Sequence, residues 1–315
     1  MSRALFRCVA GIAACLVLTT AAPRAPLAQP SDDRSTPVAN ETISDRVDQA
    51  FAAMRAGDPA PSSGLEEAGP AIIPAVAAYL GDDNEDLRRH AVTLLGLTGS
   101  AEAAPYLAKA LADRSDDIAR RAALALYELG ADAVADPSVG TALAAAVTGG
   151  NSAGGAILLM GYVPGAASVA ALNGLRERGA GQSTEVYRWS PVMPVPFVAD
   201  VALTRLGDGD AKARTLAAIK GGDFDALSFL LYALRDIEDR DVLRALADAT
   251  LSDTRPAQGD APSGADLGIR LADVAAAQFV KRFGLAAGVD TTADRPLTAA
   301  ELAALREALA ARLAE

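Results

Sequence analysis

The sequence predicts an all-α protein, an α-solenoid of stacked antiparallel helix hairpins. Three observations carry this expectation. The 315-residue chain is 51% hydrophobic but only 4% aromatic. Its apolar content is mostly alanine, leucine and valine, and alanine and leucine form helices where strands prefer β-branched and aromatic residues. Two consecutive segments align without a gap at a spacing of 31 residues, and a fixed period of this size marks stacked repeats. Within each segment the apolar residues recur at helical spacing.

The N-terminus comes before any fold. Arg3 and Arg7 precede an apolar run from Cys8 to Ala22, then small residues and prolines. This order is that of a secretory signal, with cleavage expected near Ala28. The apolar run is shorter than the roughly 20 residues of a membrane-spanning helix. "IAAC", Ile12 to Cys15, also resembles a lipobox, so a lipid anchor at Cys15 is the alternative. Both cysteines of the chain, Cys8 and Cys15, lie in this segment. The mature chain therefore lacks thiols for catalysis, metal binding or disulfides, and its core must hold it. Losing Arg3, Arg7 and Arg24 moves the formal charge from −11 to −14. Nucleic acid and anionic membrane surfaces are poor partners for such a charge.

A polar, proline-containing leader follows, over 29–41. Thr42 with Asp45 forms an N-cap pair that opens a helix to about Ala56. Then come the two aligned segments, "GPAIIPAVAAYLGDDNEDLRRHAVTLLGLTGS" and "SAEAAPYLAKALADRSDDIARRAALALYELGA". Pro74 matches Pro105, Asp82 matches Asp113, Arg89 matches Arg120 and Gly99 matches Gly130. Each unit reads as two helices around an acidic turn. The second helix carries the apolar stripe: Leu87, Ala91, Leu94 and Leu95, then Ile118, Ala122, Leu126 and Leu129. One hairpin cannot bury such a stripe, whereas stacked neighbours can.

"DLRRHAVTLLGLTG" and "DIARRAALALYELG" resemble the second helix of short HEAT-like repeats, the kind also seen in phycobilisome lyases. The resemblance is clear over 70–130 and implies a HEAT/armadillo-like solenoid. The sequence departs from the pattern at Ala119, where arginine is usual, and at Tyr127, where glycine is usual. An export signal is the wrong address for phycobilisome chemistry, and the acidic charge is wrong for DNA-binding HEAT-like enzymes.

Further helices are expected near 138–148, 152–161, 165–178, 197–206, 210–220, 223–234, 239–251 and 265–283. Thr298 and Glu301 form a capping box for a final, amphipathic helix. The expected organisation is a signal peptide over 1–28, a leader over 29–41 and a solenoid over 42–285. Insertions interrupt the solenoid at 179–196 and 252–264. A linker and C-terminal capping helix fill 286–315.

No nucleophile–base pair or metal-ligand spacing appears, so neither catalysis nor a cofactor is expected. His90, the only histidine, aligns with Arg121 and is expected at the surface. Arg88, Arg89, Arg120 and Arg121 sit in successive helix N-terminal turns beside acidic residues. They form either an ion-pair ladder with Asp86–Arg89 and Asp117–Arg120 spacing, or a basic stripe for a carboxylate or acidic peptide. The glycine-rich "GGNSAGGAILLMG", Gly149 to Gly161, lacks a phosphate-loop lysine and suits close helix packing or a bend.

"VYRWSPVMPVPF", Val186 to Phe197, holds the only tryptophan. It falls between the two helices of one unit, as does "SDTRPAQGDAPSG", Ser252 to Gly264. In a solenoid all such turns share one edge, often the binding edge. The second insertion suits a mobile linker. In the first, Tyr187, Arg188 and Trp189 either anchor a partner or fold back as a plug. The functional expectation is an exported, non-catalytic scaffold that binds a protein or peptide. An enzyme site in the concave groove near Asp200 and the tryptophan loop, and a lipid-anchored envelope scaffold, are the alternatives.

Overall fold

Helix caps divide the chain almost where the sequence places them. The structure is a computed structural model; it describes residues 42–58, 64–150, 153–186, 190–257, 268–285, 288–291 and 295–314. The signal segment and leader lie outside these. α1 is Ile43–Arg55, opened by the Thr42–Asp45 capping box. α2 is Ile73–Ala77 and α3 Glu85–Leu97; α4 is Ala104–Ala110 and α5 Asp116–Leu129. Then follow α6 (Pro137–Thr148), α7 (Gly154–Met160), α8 (Ala166–Arg178) and α9 (Val195–Arg205). α10 (Gly209–Gly221), α11 (Phe224–Ala233), α12 (Arg240–Thr250), α13 (Leu271–Phe283) and α14 (Ala299–Ala314) complete the chain.

The 31-residue period is visible in the backbone. Pro74 and Pro105 both occupy the first turn of a first helix, α2 and α4. A missing N–H costs nothing there. Gly99 and Gly130 both follow a second helix with φ of 59° and 70°, a conformation that a side chain would strain. α2 and α4 are short, because 3-10 turns (Leu65–Ile72, Ala78–Gly81, Ala101–Ala103) take part of each span.

Two differences from the sequence reading stand out. α13 begins at Leu271, not near 265: Arg270 is its N-cap, with Asp273 accepting from its backbone N–H at 2.8 Å. A short antiparallel ribbon, absent from an all-helical expectation, pairs β1 (Ser183–Thr184) with β2 (Met193–Pro194).

First helices pack on first helices, α4 on α6 on α8 and α10 on α12 on α14. Second helices do likewise, α3 on α5 on α7 on α9. α14 buries Leu302, Leu305, Leu309 and Leu313 against α12 and α13, a single apolar stripe that closes the last repeat. Its Thr298–Glu301 box is formed, with the Thr298 N–H donating to Glu301 Oε2 at 2.7 Å. Among the described residues no helix is long and apolar enough to cross a membrane.

The glycine-rich stretch becomes the tightest point of the stack. Every residue of α7 is buried, and its glycines face backbone. A Cβ on Gly155 would lie 2.6 Å from Ala123 O in α5; one on Gly161 would lie 2.9 Å from Ala202 O in α9. Missing side chains thus let three second helices touch main chain to main chain. α9 is also buried without interruption from Val198 to Thr204. A helix that is buried all round has no solvent face to offer.

Candidate interaction surface

The turns inside each unit carry a repeated device. Asp82 accepts the Asn84 N–H at 2.8 Å, and Asp113 accepts the Ser115 N–H at 2.8 Å. Each also receives an arginine from the preceding second helix: Arg55 of α1 reaches Asp82, and Arg88 of α3 reaches Asp113. Arg88 forks onto both Asp113 oxygens, at 2.8 and 3.1 Å, and its third nitrogen caps Asp82 O at 3.0 Å. The two side chains are only 4% and 7% exposed. Burial pushes the Asp113 carboxyl up, but Arg88 and the Ser115 N–H outweigh it and hold the group below the ordinary carboxylate range. Arg88 is therefore an interior tie between units and is turned away from any partner.

The other arginines separate. Arg89 gathers Glu85, Asp86 and, across the unit boundary, Asp117. Asp117 pairs with Arg121 at 2.8 Å rather than with Arg120. The i,i+4 partner is reached more directly than the i,i+3 partner that the spacing suggested. Among the described residues Arg120 is exposed and has no ion-pair partner. Tyr187, Arg188 and Trp189 lie outside the described residues.

His90 is half-buried rather than fully at the surface. Its ring stands edge-on to Phe51, centroids 5.7 Å apart, and its Nε2 is buried without a hydrogen-bond partner. Phe51 is itself stacked on Tyr79. α1 and its neighbours cover a position that stays open one unit later, at Arg121. Burial lowers the His90 pKa below its ordinary 6.5, although Glu66 opposes this. The folded chain then binds fewer protons than the unfolded one below about pH 6.5. Stability should be full above that pH and fall as the pH drops through the folded pKa. Urea midpoints at pH 7.5 and 5.5 should differ, and His90→Leu should flatten the difference.

Both insertions are fastened at their bases. In the first, the β1–β2 ribbon closes the loop and Val195 N–H donates to Gln182 O at 2.9 Å. Thr184 Oγ1 accepts the Gly154 N–H at 3.0 Å, and Val186 lies so close to Gly154 that a Cβ there would be 2.5 Å away. Val186, Ser190 and Met193 are buried, whereas Val192 is 65% exposed. In the second insertion, Pro256 pairs with Arg270, and Arg255 donates to Gly222 O at 2.7 Å. Gly154 opens α7 beside one intra-unit turn and Gly222 lies in another, so the bases of both insertions stand on the edge of the intra-unit turns. Residues 258–267, expected to be mobile, lie outside the described residues.

The family model for HEAT repeats matches residues 45–146. Those residues are HEAT repeats. No curated protein matches the chain. Among solved structures, a chain of the complex of CpcE and CpcF of phycocyanin lyase from Nostoc sp. PCC7120 is similar. It has a TM-score of 0.41 and 16% identity, covering 80% of this chain and 98% of that one. So loose a superposition carries neither an activity nor a partner across.

Solenoids commonly bind through extended concave surfaces. Here α3 and α5 keep exposed positions, among them Thr93, Leu97, Arg120 and Glu128. α7 and the middle of α9 keep none. Asp200, near which a groove was expected, lies in the stretch of α9 that is buried from Val198 to Thr204. Asp200 is buried and forked by Arg214 at 2.8 and 2.9 Å, with Arg176 at 3.7 Å. That geometry saturates the carboxylate as a tie between α8, α9 and α10. Among the described residues no cluster of three His, Cys, Asp or Glu side chains is arranged to hold a metal.

Proposed function

We propose that this α-solenoid is an exported scaffold that binds a protein or peptide through the edge of its intra-unit turns, without catalysis. The observation that carries the reading is the first insertion. Its base is clamped by a ribbon and by Val186 against Gly154, while Val192 is presented to solvent. A loop held at its base loses less entropy on binding, and apolar and aromatic anchors supply most interface energy. Tyr187, Arg188 and Trp189 sit in the same loop by sequence, and Arg120 offers an unpaired guanidinium on α5. The order of charge, apolar run and small residues at the N-terminus supports a periplasmic or secreted location, with lipidation at Cys15 as the competing fate.

The test is a comparison of envelope proteins retained by wild type, Val192→Asp and Trp189→Ala. A specific partner should be lost from both variants, with the Val192→Asp melting temperature within about 2 °C of wild type, as expected for an exposed position. An unchanged set of retained proteins would remove the loop from the reading. Mass spectrometry of the mature N-terminus decides between the two fates: a start after Ala28 supports free export, and a lipidated Cys15 replaces it.

A further inference from the structure

The C-terminal ends of five elements meet at one place. The end of α11 and the turn after it, Tyr232 to Ile237, are the centre. Tyr127 of α5 donates its phenol to Tyr232 O at 3.5 Å, and Arg235 lies over the Tyr127 ring, 5.2 Å from its centroid. Tyr162, just after α7, donates to Asp236 Oδ2. Arg205 of α9 donates to Ala233 O at 2.7 Å and Asp236 Oδ1 at 2.6 Å, and stacks over Tyr162 at 4.1 Å. Arg282 of α13 caps Leu234 O, Arg235 O and Ile237 O.

These contacts differ from those between neighbouring units. Tyr127 and Tyr232 are three repeats apart. The links named here are hydrogen bonds, an ion pair and cation–π contacts, with no apolar interdigitation among them. Water can replace each of them on opening at modest net cost. The charges facing one another balance: Arg205, Arg235 and Arg282 against Glu128, Asp236 and Glu238. Electrostatics alone therefore does not demand an added ion.

Arg205 is the telling member. Its side chain is 9% exposed, yet Nε and Nη1 are buried with no hydrogen-bond partner. A buried guanidinium lacking two acceptors is a penalty of the closed state, and access to water would relieve it. Meanwhile the apolar residues of α7 (Ile157 to Met160) are fully buried, although an inner helix of a stack normally shows one face.

We propose that this hub is a latch, a polar fastening that holds α5 and α7 against the end of α11 and opens as a unit. Opening hydrates Arg205 and releases the ends of α5 and α11 together, while the apolar packing between adjacent repeats stays intact. The inference does not depend on the partner-binding reading, and its test uses no partner.

Amide hydrogen exchange on the full chain tests it, with wild type compared with Tyr162→Phe and Asp236→Asn. Exposed Arg121→Ala, away from the hub, serves as the control. In both hub variants, exchange should rise about ten-fold or more over 127–134 and 230–237, by the same factor in the two segments. Exchange in α1–α3 and α14 should stay as in wild type. Unchanged exchange in the hub variants overturns the latch. So does a rise spread evenly over all helices, which would make the cluster an ordinary stabilising contact.

Discussion

Gly155→Ala should lower the melting temperature, by up to about 8 °C, although alanine is the better helix former. The two terms have opposite signs. Alanine gains about 1 kcal/mol of helix propensity over glycine. Its Cβ would lie 2.6 Å from Ala123 O and 2.9 Å from Ala123 C. Both are backbone atoms of a packed helix, so they cannot swing aside. Overpacking of this kind costs about 1–3 kcal/mol and sometimes more, and each kcal/mol is worth about 2–4 °C in a chain of this size. Gly209→Ala is the matched control. A Cβ on Gly209 meets nothing within 4 Å, so this change should stabilise by about 0.4–1 kcal/mol. Equal behaviour of the two variants in a thermal melt would refute the close-packing account of α7.

Arg88→Met should cost about 3 kcal/mol. It leaves the Asp113 carboxylate buried without its partner, and breaking a buried pair costs about 3–5 kcal/mol. The lower end applies because the pair lies just beneath the surface. Adding Asp113→Leu should restore much of the loss, since a matched apolar pair can replace a buried ion pair. Urea unfolding of both single variants and the double variant measures the coupling. The sequence already contains such an exchange: Ala119 stands where the series calls for arginine, and the next intra-unit turn, 149–153, has no acidic residue. The acid limb has a fixed sign. Asp113 is held below its unfolded value, so its contribution is present above about pH 4 and is lost as the pH falls through the folded pKa. Arg88→Met should blunt that loss.

Local signals were legible in the sequence because they act over a few residues. The Thr42 and Thr298 boxes, the prolines in first turns and the glycines after second helices all sit where short-range rules put them. The start of α13 was missed because Arg270 caps it through Asp273, with an arginine where the rules look for serine, threonine or aspartate. Arg88 was misplaced for a different reason. Its acidic neighbours in sequence suggested a surface pair, while its true partner lies 25 residues away. A usable signal existed: Arg88, Val92 and Leu95 follow helical spacing on a buried face. The closed second helices had a signal too. "AILLM" and "FVADVALT" run with almost no charge, the pattern of a helix without a solvent side. Contacts such as Tyr127 to Tyr232 had none, since they depend on how far the stack curls.

That last contact bears on how the chain comes apart. Repeat arrays are usually treated as one-dimensional: each unit feels only its neighbours, and the ends fray first. Here, units three positions apart are joined at the end of α11. Loss of α11 would withdraw support from α5, α7 and α9 at once. Unfolding then becomes closer to a single concerted event, and a shortened chain ending before α11 would be worth less than the sum of the repeats it keeps.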